Sequence, residues 1–289
     1  MAQSKQQILA ALAAAGTRPK HRFGQNFMID SNLVRLVAEA GRVGPEDVVL
    51  EVGPGTGTLT EELLSRGARV IAVEIDRDLA EALRRLFASE KRFELIEADV
   101  LSGKHQINPR VLDAIGGADS RHASVGSYIQ NQPTPKLVAN LPYNIASPLV
   151  IELLIAGLEL LAFTVQKEVA ERLKAAPGDE AYGALSVMAQ LLGKVEVLRT
   201  LPPQAFWPAP KVESALVRIT RFSEGGADDS QNPPHPPRGT LSPLRVGHRL
   251  PGVEPGTFSL PPSRAAAISR FVHAVFRFRR KMLKRALTE

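Results

Sequence analysis

The run Val48-Val49-Leu50-Glu51-Val52, followed at once by Gly53-Pro54-Gly55-Thr56-Gly57, leaves this chain few folds to choose from. The run is short, apolar and valine-rich, which is the signature of a buried strand, and the Gly/Pro cluster closes it. Thr58 and the acids Glu61 and Glu62 then open a helix, with the acids in the first turn, where the helix dipole favours negative charge. Strand, glycine loop and helix in that order form the first unit of a nucleotide-binding α/β sheet. Its glycines allow positive φ and let a ligand approach the main chain.

The glycine spacing departs from the dinucleotide fingerprint: Gly53, Gly55 and Gly57 alternate, and position 58 is threonine. A second strand over 69–76 carries Glu74, placed to accept hydrogen bonds from both hydroxyls of a ribose. A third apolar run over 93–99 ends in Asp99. Glu51, Glu74 and Asp99 thus put an acid at or near the end of three successive strands, none with a lysine or arginine beside it to pair a phosphate. An acid-lined adenosine pocket suits a cationic nucleoside, S-adenosylmethionine, better than a dinucleotide.

The charge distribution points to a polyanionic partner. The chain of 289 residues has a formal net charge of +6, yet residues 264–289 hold eight Lys/Arg against one acid, and residues 1–24 hold four against none, which leaves the body at −5. A slightly acidic body with two basic ends fits a polyanion gripped at those ends. No cysteine is present, which excludes disulfides, thiolate zinc sites and a cysteine nucleophile and agrees with a reducing, cytoplasmic setting. The expected site holds no metal. The stretch 149–163 is too short and too interrupted by Glu152 and Glu159 to span a bilayer, and the alanine-rich run over 8–15 is too short and weakly apolar for a secretory signal, so no membrane partner is expected.

Further along, apolar runs predict strands over 136–139, 160–165, 195–201 and 214–222. Helices are predicted over 31–40, 147–158, 166–176 and 182–192, with a weaker one near 109–115 in an otherwise loop-like stretch over 103–135. The expected fold class is therefore α/β, a Rossmann-like sheet, mostly parallel with an antiparallel edge. Residues 1–222 form the catalytic domain. The Pro/Gly/Ser-rich segment 223–263 reads as a linker or disordered stretch, and 264–289 as a basic helix.

The fourth strand runs straight into Asn140-Leu141-Pro142-Tyr143. An exocyclic amine on a base is a poor nucleophile because its lone pair is delocalised into the ring. Two acceptors that bond both amine hydrogens draw the nitrogen toward tetrahedral geometry and free the lone pair. The Asn140 side-chain oxygen and the Leu141 carbonyl are such a pair, Pro142 fixes the turn that aims them, and Tyr143 offers a ring for stacking the base.

With these motifs in place the chain resembles the ribosomal RNA adenine N6-dimethyltransferases, specifically those acting on the small subunit. The matching segments include Phe23-Gly-Gln-Asn-Phe27, Glu51-Val-Gly-Pro-Gly-Thr-Gly57, Glu74-Ile-Asp-Arg-Asp78, Asn140-Leu-Pro-Tyr-Asn144, Gln166-Lys-Glu-Val169 and the run from Pro203 to Ser214, and they span roughly residues 18–220 in order. The resemblance implies an S-adenosylmethionine-dependent enzyme that dimethylates two adjacent adenines near the 3′ end of small-subunit ribosomal RNA, within an immature small-subunit particle, as a monomer. It further implies that Asn26 and Met28 close over the cofactor and that Gly53, Gly55 and Gly57 back its methionine moiety. By the same resemblance Glu74 binds the ribose, Asp99 the adenine amine, and Asn140 both cofactor and substrate. Phe206 would stack the target adenine opposite Tyr143, and Lys167 and Lys211 would contact phosphates. The family's small helical lobe is represented here only by the basic helix containing Arg279-Arg280-Lys281, which puts RNA docking by that lobe in question. Two other readings stay open: a large-subunit RNA adenine methyltransferase, and an RNA-binding assembly factor with little turnover.

Overall fold

The computed structural model describes residues 3–103, 106–116, 135–222 and 262–277. The chain begins with α1 (Lys5–Ala14), the two-residue strand β1 (Phe27–Met28) and α2 (Ser31–Ala40). Two strand–helix units and a further strand follow: β2 (Val48–Val52) and α3 (Thr58–Ser65), β3 (Arg69–Glu74) and α4 (Arg77–Leu86), then β4 (Phe93–Glu97). A small hairpin, β5 (Leu101–Gly103) with β6 (Gln106–Ile107), leads into α5 (Pro109–Ala114). The second half contains β7 (Lys136–Asn140), α6 (Ala146–Ile155), β8 (Leu160–Gln166), α7 (Lys167–Lys174) and α8 (Ala184–Leu192). It continues with β9 (Gly193–Leu201), β10 (Phe206–Trp207), β11 (Ser214–Arg221) and α9 (Pro262–Arg277).

Among the described residues seven strands form the main sheet in the order β4-β3-β2-β7-β8-β11-β9. The five from β4 to β8 run parallel, and β11 and β9 form the expected antiparallel edge. The order proceeds outward from β2 in one direction through β3 and β4, then resumes on its other side with β7. The gap between the carboxyl ends of β2 and β7 is therefore a topological switch point, where sheets of this kind open a ligand crevice.

Strand alternation divides the core into two layers. Leu50, Val52, Ile71, Val73, Leu137, Ala139, Leu161, Phe163 and Val165 face α6 and α8. Val49, Val70, Ala72, Val138, Ala162 and Leu216 face α2 and α3. Because both faces are covered, the strands read as continuous apolar runs, as parallel strands should. Each fully buried Val, Leu, Ile or Phe contributes about 1.5–3 kcal/mol relative to exposure.

The predicted strands and helices recur with boundaries shifted by a few residues. The sequence reading did not single out α4, whose Leu79, Ala80 and Leu83 are buried and whose N-terminus is capped by the Asp76 carboxylate on the Asp78 amide. Nor did it anticipate the pairing of β10 with β1, in which Met28 lies opposite Phe206 and Phe27 opposite Trp207. The basic C-terminal helix starts at Pro262, and Ala265 and Val272 join the main core through contacts with α8 and α6. It is thus a docked part of the catalytic body. Residues 223–261 of the linker expected over 223–263, residues 117–134, and the cations from Arg279 onward lie outside the described residues, and helix α9 takes over the last two linker positions. Among the described residues no helix is long and apolar enough to cross a membrane.

Candidate active site

A cavity of about 290 Å³ opens at the switch point. Its walls come from the glycine loop after β2, Glu74 and Ile75 after β3, Ala98 and Asp99 after β4, the turn 140–145 after β7, and the segment 22–28 that crosses in front. Each wall except the last is the carboxyl end of a parallel strand, so sheet topology assembles residues more than a hundred positions apart.

The glycine loop is shaped by steric demand. Gly55 has φ +62°, and a Cβ there would lie 2.8 Å from the Phe27 ring, so a side chain would both strain the backbone and displace the aromatic behind it. Gly57 caps α3 in the left-handed region with φ +85° and supplies no capping side chain. It does not line the cavity. A Cβ on Gly57 would instead meet the Phe87 ring at 3.0 Å, so this glycine serves the packing of α3 on α4, contrary to the expected ligand contact.

Two buried carboxyls define the electrostatics. The two oxygens of Glu74 accept the backbone N–H of Gly55 at 3.2 Å and of Asp76 at 2.9 Å, with the Ile75 N–H also directed at the carboxylate. Burial, with the nearby Asp76 charge adding to it, pushes the Glu74 carboxyl up to about 7. Glu51 is also buried and accepts a hydrogen bond from the Thr60 hydroxyl at 2.7 Å. Burial, reinforced by Glu74, raises it to about 8. These acids would welcome a cation. Asp99 lines the cavity from an exposed position, and its carboxylate accepts the Leu101 amide at 2.9 Å. Thr58, buried at the start of α3, has a hydroxyl with no hydrogen-bond partner among the described residues, although it lines the cavity. Buried carboxyl acceptors on the cavity wall, a glycine at position 55 where no side chain fits, and an unsatisfied hydroxyl together suit S-adenosylmethionine.

The segment before β1 is strapped across the cavity. Lys20 bridges Asp76 at 2.6 Å and Asp78 at 2.7 Å, and the Gln25 amide donates to the other oxygen of Asp76 at 3.0 Å. The Asn26 carbonyl accepts from the Asn140 side-chain amide at 2.6 Å, tying the strap to the far wall. Asn26 and Met28 both line the cavity.

The turn after β7 completes the site. Asn140, Leu141, Pro142 and Tyr143 all line the cavity. The Asn140 side-chain oxygen accepts the hydroxyl of Thr164 on the adjacent strand, and the Leu141 carbonyl takes no hydrogen bond from the described residues. The Tyr143 hydroxyl lies 2.7 Å from the Ser214 hydroxyl. Burial raises the Tyr143 hydroxyl above its ordinary value, so it stays protonated and its ring remains neutral.

One expected contact is not assembled. Phe206 is only 2% exposed and packs in the layer under β1 with Met28 and Leu216, because β10 pairs with β1 and turns this ring inward. It does not line the cavity and stands as a core residue in this arrangement. Lys167 is held by Glu213 at 2.7 Å, while Lys211 is exposed. Sequence reasoning in turn passed over Lys20, Asp76, Thr60, Thr164 and Ser214 as site residues. A signal existed for Thr164, the lone polar residue in the buried run 160–165.

A doubly wound sheet with an acid-lined crevice, an alternating glycine loop and an Asn-Leu-Pro-Tyr turn defines a Rossmann-like methyltransferase acting on an amine. Comparison with known proteins narrows this. The sequence pattern of the ribosomal RNA adenine dimethylase family matches residues 16–230, and the chain belongs to that family. It is 39% identical over 214 residues to a ribosomal RNA small subunit methyltransferase A from Moorella thermoacetica, covering 73% of this chain and 70% of the relative. A protein of the same name from Synechocystis is 40% identical over 221 residues, covering 71% of this chain and 72% of the relative. The chain spans about two-thirds of the length of the curated relatives it matches. Among solved structures, that of the 23S rRNA methyltransferase ErmE has 31% identity and a TM-score of 0.53, covering 68% of this chain and 70% of that one.

Proposed function

We propose that this protein, acting in the cytoplasm as a monomer, transfers methyl groups from S-adenosylmethionine to the N6 amines of two adjacent adenines near the 3′ end of small-subunit ribosomal RNA. The observation that carries the reading is the Asn140–Leu141 acceptor pair beside an acid-lined cavity at the switch point. When bound, the cofactor supplies a methyl group activated by a sulfonium centre. Glu74 holds the ribose hydroxyls, the loop around Gly53 and Gly55 lies behind the methionine moiety, Asp99 meets the adenine amine, and Asn26 and Met28 close the strap over them.

On the substrate side, Asn140 Oδ1 keeps one lone pair beyond the Thr164 bond, and the Leu141 carbonyl is open. Each accepts one hydrogen of the target amine and so localises the nitrogen lone pair. Preorganised acceptors of this kind cost no reorganisation during the reaction. Tyr143, fixed through Ser214, presents its ring to the base. No side chain needs to act as a strong base, since the methylated amine sheds its proton to water. Arg22, exposed at the mouth and stacked 4.6 Å from the Phe23 ring, offers a cation to the RNA backbone.

The test is transfer of labelled methyl groups to immature small-subunit particles, with the modified positions mapped by mass spectrometry. Wild type should yield N6,N6-dimethyladenine, and Asn140→Ala should lose transfer by orders of magnitude while remaining folded. The likeness to the 23S enzyme supports a second reading, which methylation confined to large-subunit RNA would favour. A wild type that binds particles without methylating them would leave the assembly-factor reading.

A further inference from the structure

The strand β8 carries a polar residue where its neighbours are apolar. On the face toward α2 it presents Leu160, Ala162 and Thr164, all buried, and Thr164 is 0% exposed. A buried hydroxyl needs a partner to offset its desolvation. The register aligns Thr164 with Asn140 on the adjacent parallel strand, and the two side chains bond.

Which atom donates follows from the far side of the amide. The Asn26 carbonyl can only accept, so the amide atom 2.6 Å from it is the nitrogen, and the atom facing Thr164 is the oxygen. The Thr164 hydroxyl must then be the donor. The Asn140 amide is gripped at both ends, by a strap carbonyl and by a hydroxyl on the next strand. This fixes the rotation of its plane and leaves one Oδ1 lone pair for substrate. Donation to Oδ1 also withdraws some electron density, which alone would weaken its bond to an amine hydrogen. Orientation outweighs this, since a misplacement of about 1 Å costs on the order of 100-fold in rate.

We infer that Thr164 is a positioning residue for methyl transfer, holding the Asn140 amide with its oxygen toward the target amine. The inference rests on the proposed role of Asn140. Thr164→Val keeps the side-chain shape and deletes the donor, and Thr164→Ser keeps the donor. Thr164→Val should lower kcat by about 10- to 100-fold, with KM for RNA and cofactor affinity within about twofold of wild type and thermal unfolding confirming a folded protein. Thr164→Ser should restore most of the lost rate. In an Asn140→Ala background Thr164→Val should cost nothing more, since the amide it orients is gone. Full kcat in Thr164→Val overturns the inference. So does a loss in the Asn140→Ala background equal to that in wild type, or a Thr164→Ser protein as slow as Thr164→Val. If Asn140→Ala itself transfers at the wild-type rate, the reading of Asn140 falls together with this one. A strongly slowed Asn140→Ala protein whose residual rate falls further with Thr164→Val, by as much as wild type does, removes the Thr164 role alone.

Discussion

Glu51 offers the most direct way to test the electrostatics of the cavity, through Glu51→Gln. Its carboxyl is buried under the glycine loop, bonded to Thr60 at 2.7 Å and close enough to Glu74 to feel its charge. The folded protein holds its proton up to a pH of about 8, against an ordinary value of 4.5. A carboxyl raised on folding keeps its proton where the unfolded chain has lost it. Its contribution to stability is therefore full below pH 4.5 and is lost as pH rises through about 8. At about 1.4 kcal/mol per pH unit the whole difference corresponds to about 5 kcal/mol. Glutamine has nearly the same shape, can accept the same Thr60 hydroxyl, and does not titrate. Urea unfolding at intervals from pH 4.5 to 9 should show wild type losing several kcal/mol more than Glu51→Gln, with the curves crossing toward alkaline pH and the variant more stable at pH 9. Parallel curves would mean that Glu51 is ionised in the folded state, and the account of a proton-holding cavity would be wrong.

Other outcomes follow from the same geometry. Glu74→Ala should weaken S-adenosylmethionine by about 1–3 kcal/mol in calorimetry, and wild-type affinity should climb as pH rises through about 7, because the ionised carboxylate favours the cationic cofactor; unaltered affinity in the variant would place the ribose elsewhere. Gly55→Ala and Gly57→Ala should each lose about 1–2 kcal/mol of stability from the left-handed backbone, but only Gly55→Ala should lower cofactor affinity strongly, since only Gly55 lines the cavity. Phe206→Ala should cost about 3–5 kcal/mol in unfolding, whereas Phe206→Leu should retain most methyl transfer; a stable but inactive Phe206→Leu protein would return Phe206 to base stacking.

Much of this site was legible in the chain because its signals are local. An apolar run closed by Gly53, Gly55 and Gly57 announces strand, loop and helix whatever lies around it. Glu74 and Asp99 fall where such strands end, and Asn140-Leu141-Pro142-Tyr143 carries its acceptor chemistry within four residues. Gly57 shows the limit of local reading: it shares the motif and the positive φ of Gly55, yet its Cα faces Phe87 on another helix. Phe206 shows it again. Nothing within the proline-rich run says which way the ring points, and pairing with Phe27–Met28, some 180 residues earlier, turns it into the core. Only the sheet order brings β7 beside β8, so that Asn140 meets the Thr164 hydroxyl, and only the strap before β1 brings the Asn26 carbonyl to the other end of its amide. Strand parity then sets Glu51, Asn140, Thr164 and Ser214 on one face of one edge. Composition and spacing settled which chemical groups the chain carries, whereas long-range pairing settled which of them touch, because hydrogen-bond register between distant strands is fixed by packing of the whole sheet.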